Sequence, residues 1–433
     1  MATHHVSPAS AAVGVAAGER IPSWGLLEVF AYLEDVENAT TAVSNTPDNK
    51  HIQITFCPRA PPLLSRFCIH SPDGARMDQT PFIVAMEDDL ALLRVDSDRS
   101  SYRDYYVYQA DDGSGKPSLT LLPRTLISFH FNPKDIGLLR RPGKEYLVVG
   151  YMFKTIADYP QVCVYDSKRT TWKVHNLLLS VQRHEHRDQI LDHKNCKVVA
   201  IGGDAGTLAF VDLWQGVLLC DVLTLEREAA GQEKREAIPF LDYVPLPDYL
   251  IRTARFKGDA RLYRAIAFLN NQLKCVDLGS RSLWIRSVTT SGVWSQQYMI
   301  GSFKEIESNS SRFNLLPGHR SFKGLRVCRP VVDLGHDDAR ILYFMVKMVQ
   351  ADLKGSMVAV DLLTKKILAV APFVTRYTMM FDFAYMHTRL VKHLPGAKAT
   401  LNQQGSSSKM KDKAEKQLDV ESAAEDGHAM TLD

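Results

Sequence analysis

The residue types best suited to metal chemistry gather once in this 433-residue chain, in HEHRDQILDHKNC, which carries His184, His186, His193 and Cys196. Imidazole and thiolate are good zinc ligands. Their spacing works against a shared ion, because on a strand His184 and His186 face opposite sides and on a helix they diverge. Only a loop could gather all four. A polar surface insertion is the expectation, with no metal and no cofactor.

Other segments resemble chemical motifs but depart from them. GSGKPS at 113–118 has the look of a phosphate-binding loop, yet Ala110 stands where the first glycine is needed and Pro117 where Ser or Thr would hold magnesium. It reads as a hairpin turn. IGGDAG at 201–206 leads into a strand rather than a helix, which leaves no helix N-terminus for a pyrophosphate. Gly202 and Gly203 are expected to supply a turn with positive φ. Acidic pairs stand at Asp88 and Asp89, Asp111 and Asp112, and Asp337 and Asp338. Nothing in their spacing sets two carboxylates across a substrate, so they are expected to be turn formers and solvated loop charges. Neither Gly-x-Ser-x-Gly nor His-Glu-x-x-His occurs. No catalytic, cofactor-binding or metal-binding residue is therefore assigned from the sequence.

The elements that must carry these residues are strands. Short runs of Val, Ile, Leu, Phe and Tyr, such as YLVVGYM, KVVAIGG and RILYFMV, are separated by Gly, Asp, Asn, Pro and Ser. Many are apolar on both alternating faces, which suits sheets covered on both sides. Helical periodicity is scarce; Glu226 to Glu236 and Val181 to Asn195 are short helices or inserted loops.

One pattern recurs: an apolar strand ends in Asp, a polar turn follows, and a new apolar strand begins about seven residues later. The copies are VCVYD to Asp166, LAFVD to Asp212, LKCVD to Asp277 and MVAVD to Asp361, with YYVYQADDGSGKPSLTLL a fifth candidate. The Asp carboxylate can accept hydrogen bonds from free amides in the turn. Spacings of 46, 65 and 84 residues fit units of about 40–50 residues with insertions, the size of four-stranded propeller blades. The fold expected is all-β, a β-propeller-like repeat of six or seven blades; two β-sandwich domains are the alternative. Trp172 and Trp284, placed alike beyond Asp166 and Asp277, are expected to be buried core residues, and Trp214 to lie in a more exposed turn.

Residues 1–22 read as a disordered leader, 23–395 as the propeller-like region, and 396–433 as a disordered tail with almost no large apolar residue. A transit peptide is the other reading of the leader. Lysines and arginines number 52 against 49 acids, a net charge of +3, which excludes a strongly basic nucleic-acid binder. No apolar run is long enough for a membrane-spanning helix. Seven cysteines without a Cys-x-x-Cys pair fit reduced thiols in an intracellular compartment, cytoplasm or nucleus.

Several segments resemble the plant domain-of-unknown-function (DUF) 1618 family. They are WGLLEVFAYLEDVENATTA, HIQITFCPRAPPLLSRFCIHSP, IVAMEDDLALLRV, DYYVYQA with PSLTLLP, and FVDLWQGVLLCDVL followed by DYVPLP, covering roughly residues 24–395 in order. The resemblance implies a β-rich, propeller-like protein and transfers no catalytic mechanism. Related plant propellers often follow an F-box. No Leu-Pro-rich helical F-box precedes the strands here, so an adaptor role in ubiquitin ligation is not expected.

The function expected is a non-catalytic propeller that binds protein partners through loops at one face. The alternative is an enzyme acting on a small molecule or glycan in the central channel. An enzyme should gather perturbed carboxylates or histidines in a central pocket, and a scaffold should present a broad face. RNA binding would need a continuous basic stripe with exposed aromatics.

Overall fold

Strands that are apolar on both faces need a covering layer on each side, and in the computed structural model six sheets stand around a central axis and cover one another. The structure describes residues 23–394 except 78, 97–102, 125–130, 153–160, 180–186, 203–205, 224–239, 253–257, 288–292, 300–301, 320, 336–338, 350–351 and 375–384. The expected leader 1–22 and tail 396–433 lie outside the described residues, as do Glu226 to Glu236, Asp337 and Asp338.

Blade 1 holds β1 (Gly25–Glu28), β2 (Tyr32–Leu33), β3 (Ala42–Asn45), β4 (His51–Cys57) and β5 (Leu64–His70). Blade 2 is β6 (Phe82–Glu87), β7 (Leu90–Arg94), β8 (Tyr105–Gln109) and β9 (Ser118–Leu121). Blade 3 is β10 (Ile136–Arg140), β11 (Tyr146–Met152), β12 (Gln161–Asp166) and β13 (Thr171–Asn176). Blade 4 is β15 (Lys197–Gly202), β16 (Thr207–Asp212), β17 (Gly216–Asp221) and β18 (Phe240–Pro245), with β14 (Leu178–Leu179) along its outer edge. Blade 5 is β19 (Arg264–Leu269), β20 (Gln272–Asp277), β21 (Ser282–Ser287) and β22 (Ser295–Met299). Blade 6 is β23 (Arg326–Val332), β24 (Ile341–Lys347), β25 (Lys354–Asp361) and β26 (Lys366–Val374). The last strand, β27 (Tyr385–Thr388), returns to blade 1 and pairs antiparallel with β1. The first and last strands among the described residues thus meet in one sheet. Helix is confined to short pieces among the described residues, chiefly α1 (Arg187–Leu191), α2 (Asp248–Arg252) and α3 (Phe303–Ser308). None is long and apolar enough to cross a membrane.

The core repeats with the blades. In β7, Ala91 and Leu93 pack toward blade 1 while Leu90 and Leu92 pack toward blade 3. In β16, Leu208 and Phe210 face blade 3 and Ala209 and Val211 face blade 5. In β24, Phe344 and Val346 face blade 5 and Tyr343 and Met345 face blade 1. Each interblade layer is therefore built by the period-two alternation of two sheets. The layer joining Trp24 and Leu26 to Tyr343 and Met357 closes the ring between blades 6 and 1. Six blades, one closed ring, replace the expected choice of six or seven and exclude two separate sandwiches.

The recurrent Asp does what its chemistry suggests. Asp166, Asp212 and Asp361 accept the amides of Lys168, Trp214 and Leu363 at 2.9, 2.8 and 2.9 Å, and Asp277 accepts that of Ser280 at 2.7 Å. In the fifth hairpin Asp111 accepts the amides of Gly113 and Gly115, both at positive φ. The copies are not equivalent, however. Asp166 and Asp361 close turns between third and fourth blade strands, whereas Asp212 and Asp277 close turns between second and third. Trp172 lies on an outermost strand and Trp284 on a third strand, and both are half-buried rather than core residues. Leu283, beside Trp284, takes the fully buried place. In the turn near 201–206, Gly206 is left-handed at φ 72° among the described residues; Gly203 lies outside them.

Candidate functional site: the central channel and the loop face of blades 4 to 6

In a four-stranded meander the loops between second and third strands emerge on the same side as the connections to the next blade. The first strand of every blade starts on that side. This loop face therefore gathers Trp214, Tyr249, Tyr263, Gly279 and Phe303, which come from four separate connections. They line a hollow of ≈ 290 Å³ that also includes Asp277 and Val327. A second hollow of ≈ 280 Å³ shares Tyr263, Phe303 and Val327 and adds Phe322, Arg326 and Lys347. Tyr249 is 53% exposed, and Arg281 and Arg326 are exposed at the rim.

Arg264 anchors this face from below. Its Nε is 3.1 Å from Asp277 Oδ1, and its two terminal nitrogens donate to Leu213 O at 3.0 Å and Leu250 O at 2.9 Å. The guanidinium also lies 4.7 Å from the centre of the Trp214 ring, so the planar charge stacks on the indole. Trp214 is consequently half-buried, and its Nε1 donates to Gly258 O at 3.3 Å. Arg281 sits over Phe303 at 5.3 Å.

The innermost strands enclose a cavity of ≈ 180 Å³ on the axis, lined by residues of β6, β15, β19, β23 and β27. Its walls are mostly aliphatic. The charged side chains on it are Lys197, Arg261, Arg264, Arg329 and Glu87, with His387 and Cys196 beside them. Lys197 Nζ donates to Ile266 O at 2.8 Å, and burial lowers its pKa to about 8. His387 is pushed down to about 3 by burial, reinforced by the charges of Lys197 and Arg389. Burial raises Glu87 to about 8, helped by Asp88 next to it. Glu87, Lys197 and His387 are half-buried. Arg329 sits in a β-bulge at φ 57°, a conformation that L residues adopt at a cost, and Tyr385 donates its hydroxyl to the Arg329 carbonyl.

The residues singled out in the sequence mostly lie elsewhere. His184 and His186 fall outside the described residues. His193 is buried, with Nε2 2.7 Å from Asn195 Oδ1, and burial lowers its pKa. Of the described members of that cluster, Cys196 is the one on the channel; its thiol donates to Val211 O at 3.0 Å and burial pushes it up to about 12. Among the described residues no three His, Cys, Asp or Glu side chains are disposed to hold a metal. One member of each of two acidic pairs, Asp89 and Asp111, is buried on the opposite face in a shared ion-pair network, while Asp112 is an exposed turn former as expected. Asp89 is 3.1 Å from Arg140 and 3.4 Å from Lys144, which also lies 3.6 Å from Asp111. Glu87, Lys197, Arg329 and His387 were not legible as a set, because four blades contribute one residue each. The only local signal was Glu87 directly before Asp88 and Asp89.

No curated protein matches the chain. Among solved structures, Citrobacter koseri AztD aligns with TM-score 0.32 and 11% identity over 82% of this chain and 74% of its own. The Pseudomonas aeruginosa periplasmic gluconolactonase PpgL aligns with TM-score 0.33 and 10% identity over 84% of this chain and 99% of its own. A Penicillium chrysogenum alpha-L-arabinanase complexed with arabinobiose aligns with TM-score 0.24 and 10% identity, covering 78% and 98%. Such scores bring neither activity nor ligand to this chain. A family model described as "Protein of unknown function (DUF1618)" matches residues 210–343, from β16 to β24. That stretch carries most of the lining of both hollows of the loop face and the motif FVDLWQGVLLCDVL, and over it the chain is similar to the DUF1618 family.

Proposed function

We propose that this protein is a binding propeller that takes a partner protein on the loop face of blades 4 to 6. The observation that carries this reading is the pair of adjoining hollows lined by Trp214, Tyr249, Tyr263, Phe303 and Phe322. Of these, Trp214, Tyr263 and Phe303 are half-buried, Tyr249 is exposed and Phe322 is buried beneath them, and partly exposed aromatics over a rigid sheet scaffold supply large contact area at small entropic cost. Arg281 and Arg326 at the rim favour acidic residues beside the inserted side chains. The partner is accordingly an extended segment with apolar or aromatic anchors and acidic flanks.

Selection from a random peptide display library on the full-length protein tests this. Selected peptides should combine Trp, Phe or Leu with Asp or Glu, and a Tyr249→Ala/Arg326→Glu variant should lose them about tenfold or more. Peptides that bind wild type and variant equally would refute the reading. The enzyme alternative draws on the shifted groups of the channel. Glycoside hydrolysis uses two carboxyl groups, and the described channel lining offers Glu87.

A further inference from the structure

We propose that the central channel is a binding site for a small organic anion, a monocarboxylate with one ring or a short branched chain. The carboxylate is held by Lys197, His387 and Arg329, and the apolar body lies against Val198, Ala265 and Val331. The charge inventory leads there first. Arg261 and Arg264 on the lining are engaged by Asp259 and Asp277, at 2.8 and 3.1 Å. Lys197 and Arg329 have no carboxylate partner among the described residues. Burial keeps Glu87 protonated at neutral pH, so it does not neutralise them.

Donor capacity points the same way. An ammonium has three N–H groups, and Lys197 uses one on Ile266 O. Arg329 Nη2 is buried with no hydrogen-bond partner among the described residues. A neutral imidazole still donates one N–H, and His387, on the blade opposite Lys197, faces the same cavity. Buried donors of this kind call for an acceptor, and a carboxylate satisfies several at once.

Size and wall chemistry restrict the rest of the ligand. An apolar cavity of roughly 150 Å³ accepts benzene. At ≈ 180 Å³, with aliphatic walls, this one takes a benzoate-sized body. An inorganic anion would leave that apolar surface unused.

Isothermal titration of the full-length protein with benzoate, benzyl alcohol, benzylammonium and inorganic phosphate separates these elements. Benzoate should bind about tenfold or more tighter than each of the other three. Lys197→Met and His387→Gln should each weaken benzoate by about tenfold, while Tyr249→Ala on the loop face should leave it unchanged. Should Lys197→Met fail to fold, the ligand series on the wild type decides. Benzyl alcohol or phosphate binding as tightly as benzoate, no benzoate binding, or full binding by a folded Lys197→Met protein would each overturn the proposal.

Discussion

A carboxylate or thiol in this protein behaves according to what reaches it. Asp277 is bound to a guanidinium that is 2% exposed, whereas the Arg340 partner of Asp361 is 37% exposed. Removing Asp277 leaves Arg264 buried and uncompensated, so Asp277→Ala should cost about 3–5 kcal/mol in urea denaturation. Asp361→Ala should cost about 1–2 kcal/mol, since Arg340 regains water and mainly the turn amides lose an acceptor. Equal losses would show that burial does not govern the pairs. Cys57 lies 3.8 Å from Cys68, whose thiol hydrogen bond lowers Cys57 to about 7, with Arg66 assisting. Cys163, Cys220 and Cys275 are buried and pushed up to about 12. Iodoacetamide at pH 7 should therefore modify Cys57 first, and Cys68→Ala should slow that reaction. Mass mapping of the early adducts checks it. The turn role of the recurrent Asp residues was legible because it is local, needing only the carboxylate and amides two or three residues on. The ionic partners were not, since Arg264 comes from another strand and stacks on a tryptophan 50 residues earlier in the chain.

Strands follow the same logic one level up. Alternation on both faces announced strands covered on both sides, and β7, β16 and β24 divide their side chains between two interblade layers accordingly. The position of a hairpin within its blade was not legible, because Asp-turn units look alike whether they join second to third or third to fourth strands. The equivalence of Trp172 and Trp284 failed for that reason. Channel residues were hidden for a related one: only the innermost strand of each blade contributes, and a single Lys or Glu at a strand end has no local signature. At the end of β6, Glu87 has a pKa raised by burial to about 8. Its neutral form supports the fold, so this stability is complete below the ordinary glutamate value near 4.5 and is lost as pH rises through about 8. Glu87→Gln should stay neutral throughout. Its thermal midpoint should gain on wild type between pH 5 and pH 8, and a constant difference across that range would refute the shift.

At the scale of the whole molecule, both the channel and the loop face depend on closure. A propeller shields its sheet edges only when the ring is complete, and here β1 and β27 complete it from opposite ends of the chain. The register pairs Glu28 with Tyr385 across these two strands. Blade-sized repeats were readable in the sequence, but the pairing of β1 with β27, whose partners Glu28 and Tyr385 are 385 − 28 = 357 residues apart, was not, because no pattern in either strand names its partner. The measurement that tests closure most directly is disulfide formation in a Glu28→Cys/Tyr385→Cys variant under mild oxidation, mapped by peptide mass spectrometry. Directly paired positions on neighbouring strands have Cα atoms about 4.5–5.5 Å apart, within disulfide reach. A link between positions 28 and 385, in nearly all molecules, is the result expected of a closed six-bladed ring. An oxidised protein in which those two positions remain unlinked would contradict it.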